Sequence, residues 1–195
     1  MRKPREILVA AVSLMFLIGV VPAPAQNKPQ TSDAEYIAKA LSAAPKAVAK
    51  DAAIVRMDEG GKMTTLRQGK NGFTCMIVGE NKMCADANSM AFFDAWMKRQ
   101  PPPDKLGLTY MLAGDDGASN TDPFATAKTA ENHWIVTGPH VMIVGPGAKT
   151  LGLASSADAN ASGPYMMWAG TPYEHAMIPV SSAKAGMKPM ADAMK

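Results

Sequence analysis

The stretch "FTCMIVGENKMCADANSMAFFDAWMKRQPPP", residues 73–103, decides the fold class. It opens with a short apolar run at 73–78, and the turn-forming residues Gly-Glu-Asn-Lys separate this run from a second apolar segment. Such a pattern predicts either a hairpin or a strand that passes into the following helix. From Asn88 onward, apolar residues recur at spacings of three and four, which predicts a helix that the prolines at 101–103 end. Strands next to a helix of this kind indicate an α+β domain.

The only two cysteines of the chain, Cys75 and Cys84, lie within this stretch and flank the predicted turn. An even number of cysteines in an oxidising compartment is typical of a disulfide. The spacing of the two residues differs from the Cys-x-x-Cys pattern of redox-active pairs. We therefore expect a structural disulfide, which joins either a hairpin or the end of a strand to the start of the following helix.

The amino terminus indicates that the chain is exported. Residues 1–6 carry three cations and residues 7–21 carry no charge, and Ala23 and Ala25 supply the small residues that a signal peptidase requires. A membrane-spanning anchor needs about twenty apolar residues, and this run is shorter. We expect cleavage just before Gln26 and a periplasmic or secreted location.

This cleavage site sets the expected division of the chain. Residues 1–25 form the signal peptide, and residues 26–180 form one α+β globular domain. Residues 181–195 form a mobile tail that contains methionines.

The elements on either side of the opening stretch follow from similar patterns. Ser32 and Glu35 form a capping box that begins an early helix, and Pro45 ends it. Short apolar runs between glycine-containing turns predict further strands, at 52–57, 62–68, 106–112, 134–137, 140–144, 165–168 and 175–178. The strands before residue 79 are expected to form an antiparallel meander. The predicted fold class is α+β, with a mostly antiparallel sheet packed with two main helices in a single domain.

The charge of the chain argues against a polyanionic partner. The full sequence has a net charge of +3, but removal of the signal peptide leaves 17 cations and 16 anions without a basic run. Nucleic-acid binding requires clustered cations that follow the phosphates. We expect no nucleic-acid partner and no membrane association after signal cleavage, while a small ligand or protein partner stays unidentified.

Two histidines are each followed at the second position by methionine, in the pairs His140-x-Met142 and His175-x-Met177. Residues i and i+2 of a strand point to the same face, so each pair would place an imidazole beside a thioether. Imidazole with soft sulfur is a copper ligand set, which neither calcium nor magnesium prefers. These four side chains are the candidate site for copper or another soft metal.

Ordinary packing also accounts for the same residues. The segments "GPHVMIVGP", 138–146, and "GPYMMWAGTP", 163–172, share a Gly-Pro start and apolar residues that are typical of buried strands. Methionine is a flexible apolar side chain that fills cores. The repeated pattern therefore indicates strand geometry used twice, with a soft-metal site or a pocket for an organic ligand as alternatives.

A polar segment at 114–132 without periodicity is expected to be an exposed loop that borders any pocket, since long loops in compact domains often carry sites. It contributes Asp115, Asp116 and Asp122, and His133 follows it directly. An acid from this loop working with a histidine would suit a hydrolase. Ser119 lacks the Gly-x-Ser-x-Gly elbow of hydrolase nucleophiles.

Three segments, "AGDDGASNTDPFA", "GPHVMIVGP" and "GTPYEHAMIPV", resemble parts of a family of secreted bacterial proteins that has no assigned activity. This resemblance implies export and supplies no catalytic residue. The tail methionines at 187, 190 and 194 resemble, over eight residues, the methionine-rich segments of copper-handling proteins.

These observations predict a small exported binding or accessory protein that is not an enzyme. A periplasmic copper-binding protein using the His-x-Met pairs is one alternative, and a small secreted hydrolase with its site at the 114–133 loop is the other.

Export generates a direct test at the amino terminus. Protein purified from its native host should begin at Gln26, because the Ala-x-Ala pattern directs cleavage there. Intact-mass measurement of the purified protein checks this, and a membrane-bound product that retains Met1 would contradict it.

Overall fold

A computed structural model of the protein describes residues 31–58 and 60–180. The predicted signal peptide, 1–25, and the predicted tail, 181–195, lie outside the described residues.

The described residues form three α-helices, a 3₁₀ helix and ten strands. The helices are α1 (Asp33–Leu41), α2 (Lys46–Ala49), α3 (Ala87–Met97) and the 3₁₀ helix (Pro146–Leu151). The strands are β1 (Ala53–Met57), β2 (Met63–Arg67), β3 (Phe73–Val78), β4 (Asn81–Asp86), β5 (Gly107–Met111), β6 (Ala118–Ser119), β7 (Trp134–Ile135), β8 (His140–Val144), β9 (Tyr165–Met167) and β10 (His175–Pro179).

Eight strands form one sheet in the order β2-β1-β3-β4-β5-β8-β10-β9, and β6 and β7 form a separate two-stranded ribbon. All neighbours in the large sheet are antiparallel except β1 and β3, which are parallel. The predicted α+β class with a mostly antiparallel sheet is confirmed. The short helix α2, the 3₁₀ helix and strand β6 were not predicted, whereas β7 lies within the strand predicted at 134–137.

The antiparallel meander predicted for the first three strands is wrong in one respect. β3 pairs with β1 in parallel, and β2 lies at the edge of the sheet. The reason is burial, because Ile54 and Val55 of β1 are buried whereas residues 63–65 of β2 are exposed. A buried strand requires partners for the backbone groups on both of its edges.

Helix α1 begins at the predicted N-cap, Ser32, while the Glu35 carboxylate pairs with Lys39 at 2.7 Å and does not reach back to the cap. The Ser32 side chain accepts a hydrogen bond from the backbone N–H of Glu35 at 3.3 Å, and the helix ends at Leu41 before Pro45. Its buried residues Tyr36 and Ala40 pack against one face of the sheet, next to Ile54. This half of the fold contains the alanine-rich core.

The hairpin of β3 and β4 contains the disulfide. Cys75 lies directly opposite Cys84, and the two residues are bonded, as the sequence predicts. Both side chains are fully buried on the face that packs against α1. Because alternate residues of a strand point to opposite faces, Met76 and Met83 lie on the other face.

Helix α3 follows β4 without a loop and covers this second face. The Asp86 carboxylate caps it by accepting from the N–H of Ser89 at 2.8 Å, and its other oxygen accepts from the N–H of Leu108 at 3.0 Å. A Cβ atom at Gly107 would collide with the backbone and side chain of Ser89. Glycine at this position therefore allows α3 to lie directly against β5.

Within the described residues, no helix is both long enough and apolar enough to cross a lipid bilayer.

Removal of the disulfide by the double substitution Cys75→Ala and Cys84→Ala should lower the free energy of unfolding, because the bond restricts the unfolded chain. The expected decrease is only about 2–3 kcal/mol, because the closed loop is short. Chemical denaturation of wild type and variant measures the difference. A reducing agent should destabilise the wild type by a similar amount and leave the variant unchanged. Two alkylatable thiols in the purified native protein would contradict the bond.

Candidate functional site

A cavity of about 290 Å³ lies between α3, the segment around Asp115–Asp122 and the sheet face opposite the disulfide. Its lining is dominated by one residue type. Of the eleven methionines in the described residues, ten line the cavity, namely Met57, Met63, Met76, Met83, Met90, Met97, Met111, Met142, Met167 and Met177. The eleventh, Met166, packs in a separate cluster with Ala148 and Ala176.

Strand register explains why the methionines meet. Two cross-strand pairs are Met57 opposite Met63 and Met76 opposite Met83. A third pair, Met142 opposite Met177, lies on the neighbouring strands β8 and β10. Since direct cross-strand neighbours have Cβ atoms about 5 Å apart on the same face, each pair places two thioethers side by side.

Both cavity histidines pair with methionine across the sheet. His140 lies opposite Met111 of β5, and His175 lies opposite Met167 of β9. His140 also lies opposite Pro179, so the two histidines are four residues apart along the adjacent strands. This offset corresponds to about 13 Å between their Cα atoms along the strand direction. The imidazoles thus lie at opposite ends of the Met142–Met177 pair.

His140 is fully buried, and its hydrogen bonds fix its tautomer. Its Nδ1 lies 2.7 Å from the carbonyl oxygen of Gly138. A carbonyl only accepts, so Nδ1 carries the proton and Nε2 of the neutral ring keeps a free lone pair. In the described part of the chain, no hydrogen-bond partner reaches this buried Nε2.

The nearest charged group to His140 is Asp115. Its Oδ2 lies 3.9 Å from His140 Nε2, which is too long for a hydrogen bond. Its Oδ1 accepts from the backbone N–H groups of Gly117 at 3.0 Å and Thr137 at 2.9 Å. Burial raises the pKa of Asp115, while these backbone donors and His140 lower it.

His175 lies at the aromatic end of the cavity. Its Nδ1 lies 2.9 Å from the carbonyl oxygen of Tyr173, so the same tautomer follows. The imidazole contacts Trp168 with a centroid distance of 4.8 Å and Phe92 with 6.1 Å, both edge to face. Trp96 of α3 stacks on Trp168 at 5.5 Å and closes this end.

Both imidazoles are held in the neutral form. Burial lowers the pKa of His140, against the hydrogen bond to Gly138 and the nearby Asp115. Burial lowers the pKa of His175 to about 4, and proximity to His140 contributes in the same direction. At neutral pH each ring therefore offers an unprotonated Nε2, which is the form that binds metals.

The structure places the predicted copper ligands on one sheet face. His140, Met142, His175 and Met177 all line the same cavity, and β8 and β10 are adjacent. Met111 is a closer neighbour of His140 than Met177 is, because it lies directly opposite His140 in β5.

The loop acids take different positions. Asp115 and the exposed Asp122 line the cavity, whereas the Asp116 carboxylate accepts from the Asn81 side chain at 2.6 Å. His133 lies outside the cavity lining and pairs with the exposed Asp158 at 2.7 Å. The Ser119 hydroxyl donates to the carbonyl of Asn132 and accepts from two backbone N–H groups, which gives it a role in the turn.

Sequence reasoning missed most of the methionine lining. Met76, Met83 and Met111 carry no histidine at the second position and resemble ordinary core residues. The available signal was that nearly every predicted strand contains a methionine. This is unusual, because buried strands more commonly contain valine or isoleucine.

Within residues 31–58 and 60–180, no group of three or more His, Cys, Asp or Glu side chains is placed to hold a metal ion. The cavity lining instead presents the thioether sulfurs of ten methionines, and soft ions prefer sulfur ligands whereas calcium and magnesium prefer oxygen.

No family model matches the chain, and no curated protein and no solved structure matches it either. The resemblance to secreted bacterial proteins stays a prediction.

Buried neutral His175 should make stability depend on pH. Its folded-state pKa of about 4 lies below the ordinary value of 6.5, so the unfolded chain binds more protons between these values. The contribution of neutral His175 to the free energy of unfolding is therefore fully present above about pH 6.5. It should decrease by about 3 kcal/mol as the pH falls to 4.

Denaturation of wild type and His175→Asn at several pH values measures this effect. Asparagine can still donate to the Tyr173 carbonyl but does not titrate, so the variant should show a flatter dependence. Met166→Leu, a buried substitution that removes no titratable group, is the control and should keep the wild-type slope. Equal slopes for wild type and His175→Asn would contradict the assignment.

Proposed function

We propose that the protein is an exported binding protein that takes up a soft metal ion, Cu(I), in the methionine-lined cavity. The observation that carries the proposal is the buried Nε2 of His140, which has a free lone pair and belongs to a side chain that lines the same cavity as ten methionines. His140 supplies the nitrogen ligand, and Met111 and Met142 are the nearest sulfur candidates by strand register.

The hydrogen bond to Gly138 supports this role for His140. Metal-binding histidines commonly donate their second ring N–H to a backbone carbonyl, which fixes the ring and its tautomer. The same geometry in a purely structural histidine would leave Nε2 in need of a donor. An unsatisfied buried acceptor costs about 1–3 kcal/mol, so a ligand that binds this atom would offset the cost.

The chemistry of the lining favours Cu(I) over other ions. Thioethers are soft, neutral ligands that suit Cu(I), and a mostly apolar cavity disfavours ions that keep a hydration shell. The low charge of Cu(I) also reduces the desolvation penalty inside an apolar cavity. Mg²⁺ and Ca²⁺ require several oxygen ligands, and the cavity offers chiefly sulfur.

Export of the protein agrees with this proposal. The disulfide of Cys75 and Cys84 is compatible with an oxidising compartment. The charged start of the sequence, its short apolar run and its Ala-x-Ala pattern support secretion to the periplasm or beyond.

An apolar organic molecule is the second candidate ligand. The aromatic end of the cavity, where Trp96 stacks between Phe124 and Trp168, favours it. Pockets for small organic ligands are likewise largely apolar with few polar groups. Native mass spectrometry of protein purified from its host would detect such a molecule as a retained mass, which denaturation should release.

Cu(I) affinity tests the metal proposal. All proteins should carry leucine in place of the tail methionines at 187, 190 and 194, so that only the folded domain is measured. Competition with a coloured Cu(I) chelator under anaerobic, reducing conditions gives the Kd. His140→Ala should weaken Cu(I) binding by more than about tenfold, since even the partners of metal ligands typically contribute that much.

Two matched variants make the result specific. His133→Ala removes a surface histidine outside the cavity lining and should leave the Kd unchanged. Met111→Leu keeps the volume and apolar character of the side chain but removes the sulfur, so it should weaken binding without unfolding the protein. Equal Kd values for wild type, His140→Ala and Met111→Leu would remove the proposed site.

A further inference from the structure

We infer that the methionines form an uptake route, in which Met63 and Met97 at the rim bind Cu(I) first and pass it inward to His140. This inference rests on the proposed function and concerns how the ion reaches the site. It assigns a kinetic role to residues that lie away from His140.

Exposure of the lining methionines forms a gradient. Met63 of edge strand β2 is 41% exposed and Met97 at the end of α3 is 46% exposed, yet both line the cavity. Met57 and Met90 are half-buried, and the remaining lining methionines are buried. Thioethers are thus available from the solvent boundary to the interior.

The buried part of the route is a row across four adjacent strands. Met76 of β3 lies opposite Met83 of β4, and Met111 of β5 lies opposite His140 of β8. In the antiparallel pair of β4 and β5, Cys84 lies opposite Tyr110. Continuing this register by one residue places Met83 opposite Met111. The row therefore contributes one ligand side chain per strand and ends at the orphan Nε2.

Spacing and flexibility suit transfer along this row. Neighbouring strands lie about 4.8 Å apart, and each methionine has three rotatable bonds to a polarizable sulfur. Within this row, from Met76 to Met111, an ion can therefore bind the next thioether before it leaves the last one. The route begins at the outer pair, where Met57 lies directly opposite Met63.

Substitution of the rim methionines should affect Cu(I) binding differently from substitution of the ligands at the final site. An ion that has reached His140 no longer contacts Met63 or Met97. Loss of the rim sulfurs should therefore slow uptake and release by the same factor and leave the Kd unchanged, because the Kd is the ratio of the two rate constants.

Stopped-flow transfer of Cu(I) from a coloured chelate to the mature full-length protein tests the route, again with leucine at 187, 190 and 194. The double variant Met63→Leu and Met97→Leu should slow transfer by about fivefold or more and keep the Kd within about twofold of wild type. Met166→Leu is the matched control, because this methionine lies outside the cavity lining and should change neither quantity. Met111→Leu should raise the Kd.

Each outcome decides between the two proposals. Normal Cu(I) binding with an unchanged transfer rate in the rim variant would overturn the route and leave the proposed function intact. A rise in Kd of the rim variant as large as that of Met111→Leu would overturn the route too, because it would make the rim sulfurs permanent ligands. Failure of the wild type to bind Cu(I) would overturn both.

Discussion

The antiparallel register from β4 through β5, β8 and β10 to β9 is the constraint on which the rest of the structure depends. The side-chain period of a strand is two, so a slip of one residue would turn every methionine of that strand to the opposite face. In the observed register, Met111 faces His140 and Met142 faces Met177. The same alternation turns the disulfide and Ile143 to the other face, where helices cover them.

The two faces of the sheet are packed differently. The disulfide face packs small alanines of α1 against Ile54 and the buried Cys75–Cys84 bond, which yields a dense and specific core. The methionine face contains long, flexible side chains that fill space without defining one arrangement, and it retains a cavity. The disulfide face thus consists of small, buried side chains, whereas the methionine face consists of flexible side chains around a cavity.

Two polar side chains, those of His140 and Asp115, lie among the apolar residues of the methionine face. His140 is buried without a hydrogen-bond partner at Nε2, which lowers the free energy of unfolding. Asp115, whose Oδ2 lies 3.9 Å from that nitrogen, is partly buried and accepts hydrogen bonds from two backbone N–H groups. A core selected only for packing would replace them with apolar residues. Their presence beside clustered thioethers agrees with a binding role, since functional sites commonly retain such unfavourable groups.

The sequence by itself determined the two main helices, most of the strands, the disulfide and the α+β class, because strand alternation, helical spacing and capping are local patterns. It also singled out His140 and His175 as candidate metal ligands, because each is followed by a methionine two residues later. Only the tertiary structure decided that β1 and β3 are parallel, that Asp115 approaches His140, and that methionines from separate strands join one cavity. These features depend on which strand edges pair. Pairing is a non-local choice governed by burial and register, so no single segment of the chain encodes it.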